Sequence, residues 1–409
     1  MNTTSAPSAS PAAAQPVLPA SRGKILMMAV IAGAVITNLY CIQPILPLIR
    51  SSMGLDLTTT DLVASAVLLG FATGLALLLP LGDRIDRRKL VLIQIAAAFL
   101  FAIAAGASSG VWPLIIASFG LGAVACVPQQ LVPFAAVMSA PSERGRNVGT
   151  VVSGIMVGIL LGRTVSGVIG ATWGWRAVYA AEAGFMIPVF IAAATLLPRG
   201  VPTTQLSYGR LLASLWPLVR KHRAIRESMV VQALLWAAFN AFWVNLAALL
   251  ASGPHHLDSA WAGGFGIIGA AGALAASLGG RATDKLGSRT VIGASIGIVT
   301  LAYFLLAGAE FSMSLLVIGV IVLDIGVQSG LVSNQTRAFS ADPAAQGRIN
   351  SLYMTATFFG GALGTALSGW LMTRYGWSGV VAMGIALGLI ASAFHFFSPR
   401  SSKRKPLTP

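Results

Sequence analysis

The sequence has few charged residues for its length. Of its 409 residues, 10% are Asp, Glu, Lys or Arg and 56% are hydrophobic. A soluble domain uses about 25% charged residues, and disordered chains have low hydrophobicity. The composition therefore argues against both a soluble enzyme and a disordered chain, because most of the apolar surplus must face something other than water.

Cysteine and the common catalytic motifs are also scarce. Cys41 and Cys126 lie inside apolar runs and have neither a disulfide pattern nor metal-ligand spacing. The four histidines show no ligand spacing, and the phosphate-binding pattern GxxxxGK[ST] does not occur. We therefore expect no metal, no cofactor and no enzymatic activity, and we expect an ion gradient to supply any driving force.

Long apolar runs dominate the chain. A helix needs about 20 mostly apolar residues to cross a membrane, and these runs lack the alternation of barrel strands. We predict an all-α integral membrane protein. Its twelve transmembrane helices are expected at 25–48, 59–81, 90–108, 111–138, 148–171, 177–197, 227–251, 261–280, 290–308, 313–336, 349–373 and 379–398.

The net charge of +15 has two interpretations. A single basic stripe would indicate nucleic acid, whereas short clusters between apolar runs indicate the cytoplasmic loops of a membrane protein. The second pattern applies here, because nearly all of the 27 Lys and Arg lie in the tails, in the loops predicted on one side of the membrane, or at the membrane edges of those loops. The exceptions are Arg50, Arg163, Arg176 and Arg374. We predict no nucleic-acid partner, a multi-pass protein of the cell (inner) membrane, and both termini in the cytoplasm.

The two halves of the chain repeat each other. Three pairs recur at an offset of 201 or 202 residues: Asp83 in LGDRIDRRK with Asp284 in ATDKLGSRT, Arg146 with Arg348, and Trp175 with Trp377. This duplication predicts two pseudo-symmetric six-helix bundles, which suit alternating access to a site near the membrane midplane.

The predicted organisation follows from the spans and the repeat. A disordered cytoplasmic tail at 1–23 precedes the N-terminal bundle at 24–198, and a cytoplasmic linker at 199–226 leads to the C-terminal bundle at 227–398. A basic cytoplasmic tail follows at 399–409. The linker stretch RLLASLWPLVRKHRAIR fits either an amphipathic helix on the inner leaflet or a solvated connection.

The loop after the second predicted span resembles a motif of the major facilitator superfamily, G-x-L-a-D-R-x-G-R-K. The second copy, Gly280 to Arg289, is close to it, and the first has Leu79 and Asp86 where glycines are expected. In this family the loop aspartate is thought to lock the outward-open state. The alternative is that these basic loops only set the membrane topology. The resemblance implies conformational-gating roles for Asp83, Arg84, Arg88, Asp284, Lys285, Gly287 and Arg289.

The fifth predicted span carries small residues at Gly154, Gly158 and Gly162, which allow close helix contact. The segment from Gly158 to Gly167 resembles the antiporter motif G-x-x-x-G-P-x-x-G-G, with Arg163 at the usual proline. This resemblance adds Gly158 and Gly162 to the gating set.

The segments NLYCIQPILP, ILLGRTVSG, SNQTR and GRINSLYMT together resemble the YnfM-like bacterial branch, which is described as sugar or drug efflux proteins. The resemblance implies rocker-switch export of a small organic compound in exchange for protons, by a monomer in the lipid bilayer. A proton symporter that imports a solute is the alternative, and a non-transporting sensor or pore is a third reading.

Ionisable residues inside predicted spans are candidates for function, since their burial in a membrane is costly. Asp324 and Arg163 lie in opposite halves, and we predict that they couple transport to protons by approaching each other in one state. The alternative is a static buried ion pair, or a hydrogen-bonded Asp324 that holds the tenth span in place. We expect Glu182 to pair with Arg176, and Asp61 to be an ordinary first-turn acid of the second span.

The family resemblance implies that the first, fourth, seventh and tenth spans line a central cavity. Amide and aromatic side chains there suit neutral polyols, sugars or amphiphiles, although each is also a candidate for helix packing. The predicted substrate-binding residues are Asn38, Tyr40, Gln43, Gln129, Gln130, Gln232, Trp236, Asn240, Trp243 and Gln328.

Overall fold

The computed structural model describes residues 21–397 except 83, 141, 199, 201–206, 252–255 and 270, and this part contains helices and no strand. The described part of the first half forms eight α-helices. They are α1 (Arg22–Tyr40), α2 (Leu46–Met53), α3 (Leu57–Leu81), α4 (Arg87–Gly106), α5 (Val111–Val124), α6 (Val127–Val137), α7 (Arg144–Trp173) and α8 (Trp175–Leu196).

Two short helices, α9 (Tyr208–Ala213) and α10 (Leu215–Lys221), come before the second half. The second half contains α11 (Arg223–Ala251), α12 (Ser259–Gly269), α13 (Ala271–Leu286), α14 (Ser288–Leu306), α15 (Met313–Phe339) and α16 (Gln346–Phe396).

Within the described residues, ten helical stretches are long and apolar enough to cross a membrane. One of them, α16, turns at Gly376, whose φ of 63° and ψ of −157° are not helical, so its 51 residues hold two spans. The helices α12 and α13 lie where the eighth span is predicted. The prediction of a twelve-span, all-helical membrane protein is therefore confirmed.

Two predicted spans are interrupted at prolines. A short 3-10 turn, Gln43–Ile45, contains Pro44 and separates α1 from α2, and α6 begins with Val127 and Pro128 after α5 ends. Proline has no N–H to donate and fits the first turn of a helix. The chain therefore restarts its helix at each position instead of continuing it.

The basic linker stretch does not form a single amphipathic helix. It is divided at Ser214 and His222, and α11 already begins at Arg223, within the predicted linker of 199–226. In α10, Leu218 is buried in a cluster with Ile225 and Ile349. This contact ties the short helix to the second half of the protein.

An even number of spans places the start of α1 and the end of α16 on one side of the membrane, which we call the terminal side. The opposite side is the far side. There α2 packs against α11, and Leu46, Ile49, Leu246 and Leu250 are buried. The two halves of the protein thus meet at their far-side ends.

Candidate functional site

A cavity of about 220 Å³ lies between the two halves of the protein. Helices of both halves line it, and most of its wall is aliphatic or aromatic. The polar side chains at its surface are Tyr40, Gln129, Arg163, Trp236, Asp324 and Gln328. All six are among the residues that the sequence singled out.

Arg163 of α7 is held at this cavity by three side chains. Its Nε donates a hydrogen bond to Gln43 Oε1 at 2.9 Å. Its guanidinium carbon lies 4.7 Å from the ring centre of Tyr40 and 4.0 Å from that of Trp243, which suits cation–π attraction. Because Trp243 belongs to the second half, the guanidinium bridges the two halves on the far side of the cavity.

Glycines on α12 allow α7 to come close at this position. A Cβ at Gly263 would lie 2.7 Å from the carbonyl oxygen of Arg163, and one at Gly266 would lie 3.2 Å from the Cβ of Arg163. Side chains at these two positions would push α12 away. The sequence of α12 thus contributes to the placement of Arg163, a role that was not predicted from its residues.

Asp324 of α15 is 2% exposed, and its Oδ2 has no hydrogen-bond partner within the described part of the chain. Arg163 is near enough for the two charges to act on each other. Its Nη2 also has no partner among the described residues, and the two side chains form no direct ion pair in this conformation. Two opposite charges from opposite halves therefore share one cavity without contact.

The ten predicted substrate residues divide into two groups. Tyr40, Gln129, Trp236 and Gln328 line the cavity, and Gln43 and Trp243 reach it through Arg163. The remaining four lie away from its wall.

Those four make hydrogen bonds within the protein. Asn38 donates to Val35 O, Gln130 to Gln94 Oε1 at 2.8 Å and Asn240 to Trp236 O at 2.9 Å, and Gln232 accepts from Asn334. Each of these amides has a partner on its own helix or a neighbour, but Asn38 Oδ1, Gln130 Oε1 and Gln232 Nε2 have none among the described residues. The contact of these four residues with substrate stays a prediction, with helix packing as the alternative.

Three phenylalanines of the wall were not predicted from the sequence. The rings of Phe71 and Phe358 lie 4.4 Å apart between centres, and that of Phe358 lies 5.3 Å from Trp236. Phe239 stacks on Trp236 at 5.0 Å. Phe239 could have been predicted, because it lies one turn from Trp236 on the same helix, α11. Phe71 and Phe358 come from two other helices, so their spacing in the sequence does not indicate that they meet Trp236.

The structure corrects both predictions about the other acids. Glu182 accepts a hydrogen bond from Thr37 Oγ1 at 2.7 Å, whereas Arg176 donates to Ser108 O and lies over Trp175. The predicted pair of Glu182 with Arg176 is not formed.

Asp61 is not in the first turn of its helix. The helix α3 begins at Leu57, and its N-cap is Asp56, which accepts a hydrogen bond from Thr59 N at 3.2 Å. Asp61 lies one turn further on, is 1% exposed, and has no hydrogen-bond partner for Oδ2 among the described residues. The prediction of an ordinary first-turn acid was therefore wrong.

Sequence comparison identifies the family. The model of the Major Facilitator Superfamily matches residues 28–344 and, in a second match, 269–409. The chain belongs to the major facilitator superfamily. The predicted family and its twelve-helix fold are thereby confirmed, and the protein is a membrane transporter of this superfamily.

Relatives and solved structures agree with this assignment. The chain is 32% identical to the uncharacterized transporter YgaY of Escherichia coli O157:H7, over 90% of this chain and 93% of the relative. It is 25% identical to the inner membrane transport protein YnfM of Escherichia coli, over 86% and 84%. A bacterial homologue of the human lysosomal transporter Spinster, in an inward-facing and unoccupied conformation, shares the fold with a TM-score of 0.73 at 14% identity, over 92% and 97%.

The superfamily loop motif makes local contacts in this structure. Asp83 lies outside the described residues. Arg84, Asp284 and Lys285 are exposed. Arg88 donates to Ala194 O and Arg289 to His395 O, each within its own half. Gly287 has a φ of 81°, which favours glycine, and it directly precedes α14.

The superfamily glycine motif packs within the first half. A Cβ at Gly158 would overlap the backbone of Gly33 on α1, and one at Gly162 would lie 3.0 Å from the Cα of Thr37. One face of α7 is therefore fixed against α1. The contact between halves uses a different face, where Thr164 Oγ1 donates to Gly263 O at 3.2 Å.

Proposed function

We propose that this superfamily member exports a small organic compound, sugar-like or drug-like, in exchange for protons by rocker-switch alternating access. One observation carries the proposal. Arg163 and Asp324 come from opposite halves, are both buried, and line one cavity without a direct ion pair. Such a pair changes its separation whenever the two halves move relative to each other.

The coupling step follows from the cost of burying a charge. An ionised carboxylate in an apolar wall is unfavourable unless it is paired or hydrogen-bonded. Asp324 removes that cost either by taking up a proton or by pairing with Arg163. Arg163 and Asp324 belong to opposite halves, so opening the far side moves them apart and leaves Asp324 to take up a proton from the far side. When the far side closes, Arg163 is again the cation next to Asp324, and the proton can be released towards the terminal side.

The cavity indicates the class of substrate. Its volume of about 220 Å³ is below the range of about 300–1,000 Å³ that is usual for ligand sites. The lining offers aromatic faces, the amides of Gln129 and Gln328, and one fixed charge of each sign. A small neutral or singly charged compound suits this wall better than a polyanion, which requires several arginines.

The proposed orientation places both termini in the cytoplasm of a cell with an inner membrane. The far side then faces outwards, and the structure corresponds to a state closed to the outside. Protons enter from the far side and the substrate leaves there. The lipid bilayer, the substrate and protons are the proposed partners, and the single chain is the proposed working unit.

The test uses purified protein in liposomes with an internal pH dye and an imposed proton gradient. Arabinose, other sugars and a panel of cationic amphiphiles are added, and the wild type is compared with Asp324→Asn. The matched control is Asp56→Asn, a substitution at an exposed helix cap. We expect one compound class to drive proton movement opposite to its own, with loss of this movement in Asp324→Asn only.

Four results would overturn the proposal. Movement of substrate and protons in the same direction identifies a symporter. Saturable substrate flux without proton movement identifies a uniporter or another coupling ion. Conductance that does not saturate identifies a pore, and binding without any flux identifies a sensor.

A further inference from the structure

A second buried carboxyl lies in the contact between the two halves, away from the cavity. On the far side, α3 of the first half packs along the part of α16 that precedes Gly376. Thr58, Asp61 and Ser65 follow the spacing i, i+3, i+7 and therefore share one face of α3. We call their contact with α16 the far-side seam.

Two of the three side chains in the far-side seam make hydrogen bonds between the halves. Thr58 Oγ1 and Thr373 Oγ1 are 3.0 Å apart, and Ser65 Oγ donates to Ala362 O at 2.7 Å. Asp61 lies between them and faces Gly369, where a Cβ would overlap its carboxyl group. Only glycine leaves space for this side chain.

The surroundings of Asp61 offer an ionised carboxylate little compensation. It is 1% exposed, and its Oδ2 accepts no hydrogen bond from the described residues. The charges that act on it are Arg50, on the exposed surface of α2, and Asp56, which repels it.

The other helices that pack near the far end of α3 bring one further charged residue, Arg374 of α16, which is exposed and follows Thr373 of the far-side seam. The turns of α16 at 365–372 and all of α5 contain no ionisable residue. In the far-side part of α1 the only ionisable side chain is Tyr40, which lines the cavity instead. A neutral carboxyl therefore fits the closed far-side seam, and a charged one does not.

We propose that Asp61 is a second proton-binding site, occupied when the far-side seam is closed and vacated when the seam opens. Closure transfers one proton from far-side water to the carboxylate of Asp61, and opening returns it. The proton thus holds the far side shut independently of the cavity. This inference rests on the alternating access of the proposed function, but not on its substrate, its direction or Asp324.

The linkage between proton binding and closure limits how strongly pH can change the ratio of closed to open protein. If the closed state binds one proton more than the open state, the ratio of closed to open protein falls by at most about tenfold for each pH unit gained. The dependence begins above the ordinary pKa of an aspartic acid, about 3.9. Low pH should therefore close the far side, and high pH should open it.

The test measures far-side distances without substrate or gradient. Spin labels on Ser109→Cys and Phe311→Cys report the separation of the two halves, because both positions are exposed on the far side and belong to opposite halves. The native Cys41 and Cys126 are buried and should not react. Pulsed electron–electron distance distributions of the full chain in nanodiscs are collected between about pH 5 and pH 9, which spans values above the ordinary pKa of aspartic acid.

We expect the wild type to shift from a short to a longer distance as the pH rises. Asp61→Asn has nearly the same shape but cannot ionise, so its short distance should persist at every pH. The control Asp56→Asn, at the exposed cap of the same helix, should keep the pH dependence, with its midpoint moved to lower pH because the repulsion from Asp56 is lost. Gly369→Ala places a methyl group against Asp61 and should favour the longer distance, and Asp61→Ala in the same chain should restore the short one.

An unchanged pH dependence in Asp61→Asn overturns the inference, provided that the variant elutes and melts as the wild type does. A pH dependence that disappears in Asp324→Asn but persists in Asp61→Asn also overturns it, and leaves the proposed function intact. If substrate-driven proton flux fails in liposomes while Asp61→Asn still abolishes the pH dependence of the distance, the proposed function falls and this inference stands.

Discussion

Asp324 and Asp61 are two aspartates in the contact between the halves, and their surroundings differ. Each is nearly inaccessible, at 2% and 1% exposure, and each has an oxygen without a hydrogen-bond partner among the described residues. Asp324 borders a cavity that also holds Arg163. Asp61 is packed against Gly369, where a Cβ would overlap its carboxyl group.

This difference separates two kinds of control. A carboxyl at a cavity can exchange a proton, an arginine or a substrate group while the helices stay in place. A carboxyl in a packed seam can change its state only when the helices separate, because no other partner can enter. Asp324 is therefore suited to sensing the substrate, and Asp61 is suited to sensing the conformation.

The largest expected effect comes from substitution of Arg163, which tests whether proton coupling at the cavity is separate from the pH response of the far-side seam. Arg163→Ala removes the cation nearest Asp324, and hydrogen bonds to charged groups contribute about 1.5–3 kcal/mol, so substrate-driven proton flux should fall about tenfold to a hundredfold. Arg163→Lys keeps the charge but loses the planar stacking on Trp243, and should recover only part of the flux. Proteoliposome pH traces measure both variants.

The same Arg163→Ala protein should keep the pH dependence of its far-side distance. The spin-label measurement on Arg163→Ala decides this point. Loss of that dependence would mean that Asp324 and Asp61 work as one unit, which contradicts separate roles for the two carboxyls.

A pair of glycine substitutions should distinguish packing within one half from packing between halves. Gly158→Ala forces a methyl group onto the backbone of Gly33, and overpacking of this kind costs about 1–3 kcal/mol of stability. Gly149→Ala on the same helix meets open space and should not lower stability. Thermal unfolding in detergent provides the comparison, with Gly369→Ala expected to alter the far-side distance more than the melting temperature. Equal losses of stability in Gly158→Ala and Gly369→Ala would contradict the distinction between packing within one half and packing between the halves.

A smaller effect is expected from a single hydrogen bond in the far-side seam. Ser65→Ala removes the bond to Ala362 O, which contributes about 0.5–1.5 kcal/mol, and so should shift the closed population by about tenfold or less. Thr73→Val is the control, because its hydroxyl bonds to Leu69 O within its own helix. Distance distributions at one fixed pH report the shift, and an identical response of the two variants would count against a seam held by Ser65.

The smallest effect concerns the cap of α3. The hydrogen bond from Thr59 holds the pKa of Asp56 below its ordinary value. A lowered folded-state pKa gives stability that is present above the ordinary pKa and is lost as the pH falls through the folded value. Asp56→Ala should therefore cost about 0.5–1 kcal/mol at neutral pH and less in acid.

Asp56→Asn keeps a capping oxygen and should show neither the loss nor its pH dependence. Melting curves of the three proteins at neutral and acid pH make the measurement. A loss in Asp56→Ala that is the same at every pH would show that the charge of Asp56 does not contribute.

The membrane spans and the most informative charges could be read from the amino-acid order. Apolar runs of about 20 residues leave a chain few alternatives to membrane helices, since backbone groups in lipid must bond internally. Arg163 and Asp324 were recognisable because an ionisable residue inside such a run is costly. The helix break at Pro44 and the turn at Gly287 are also local properties of the residues concerned.

The partners of individual side chains depended on how the helices are rotated and packed. Gln129 and Gln130 are adjacent in sequence, yet the first faces the cavity and the second bonds to Gln94. Asp61 was misassigned because the cap at Asp56 starts α3 earlier, and because its neighbour Gly369 lies 308 positions away in the chain. A helix has the same internal hydrogen bonds at any rotation about its axis, so its own residues cannot specify which face meets the cavity; the packing of the other helices does.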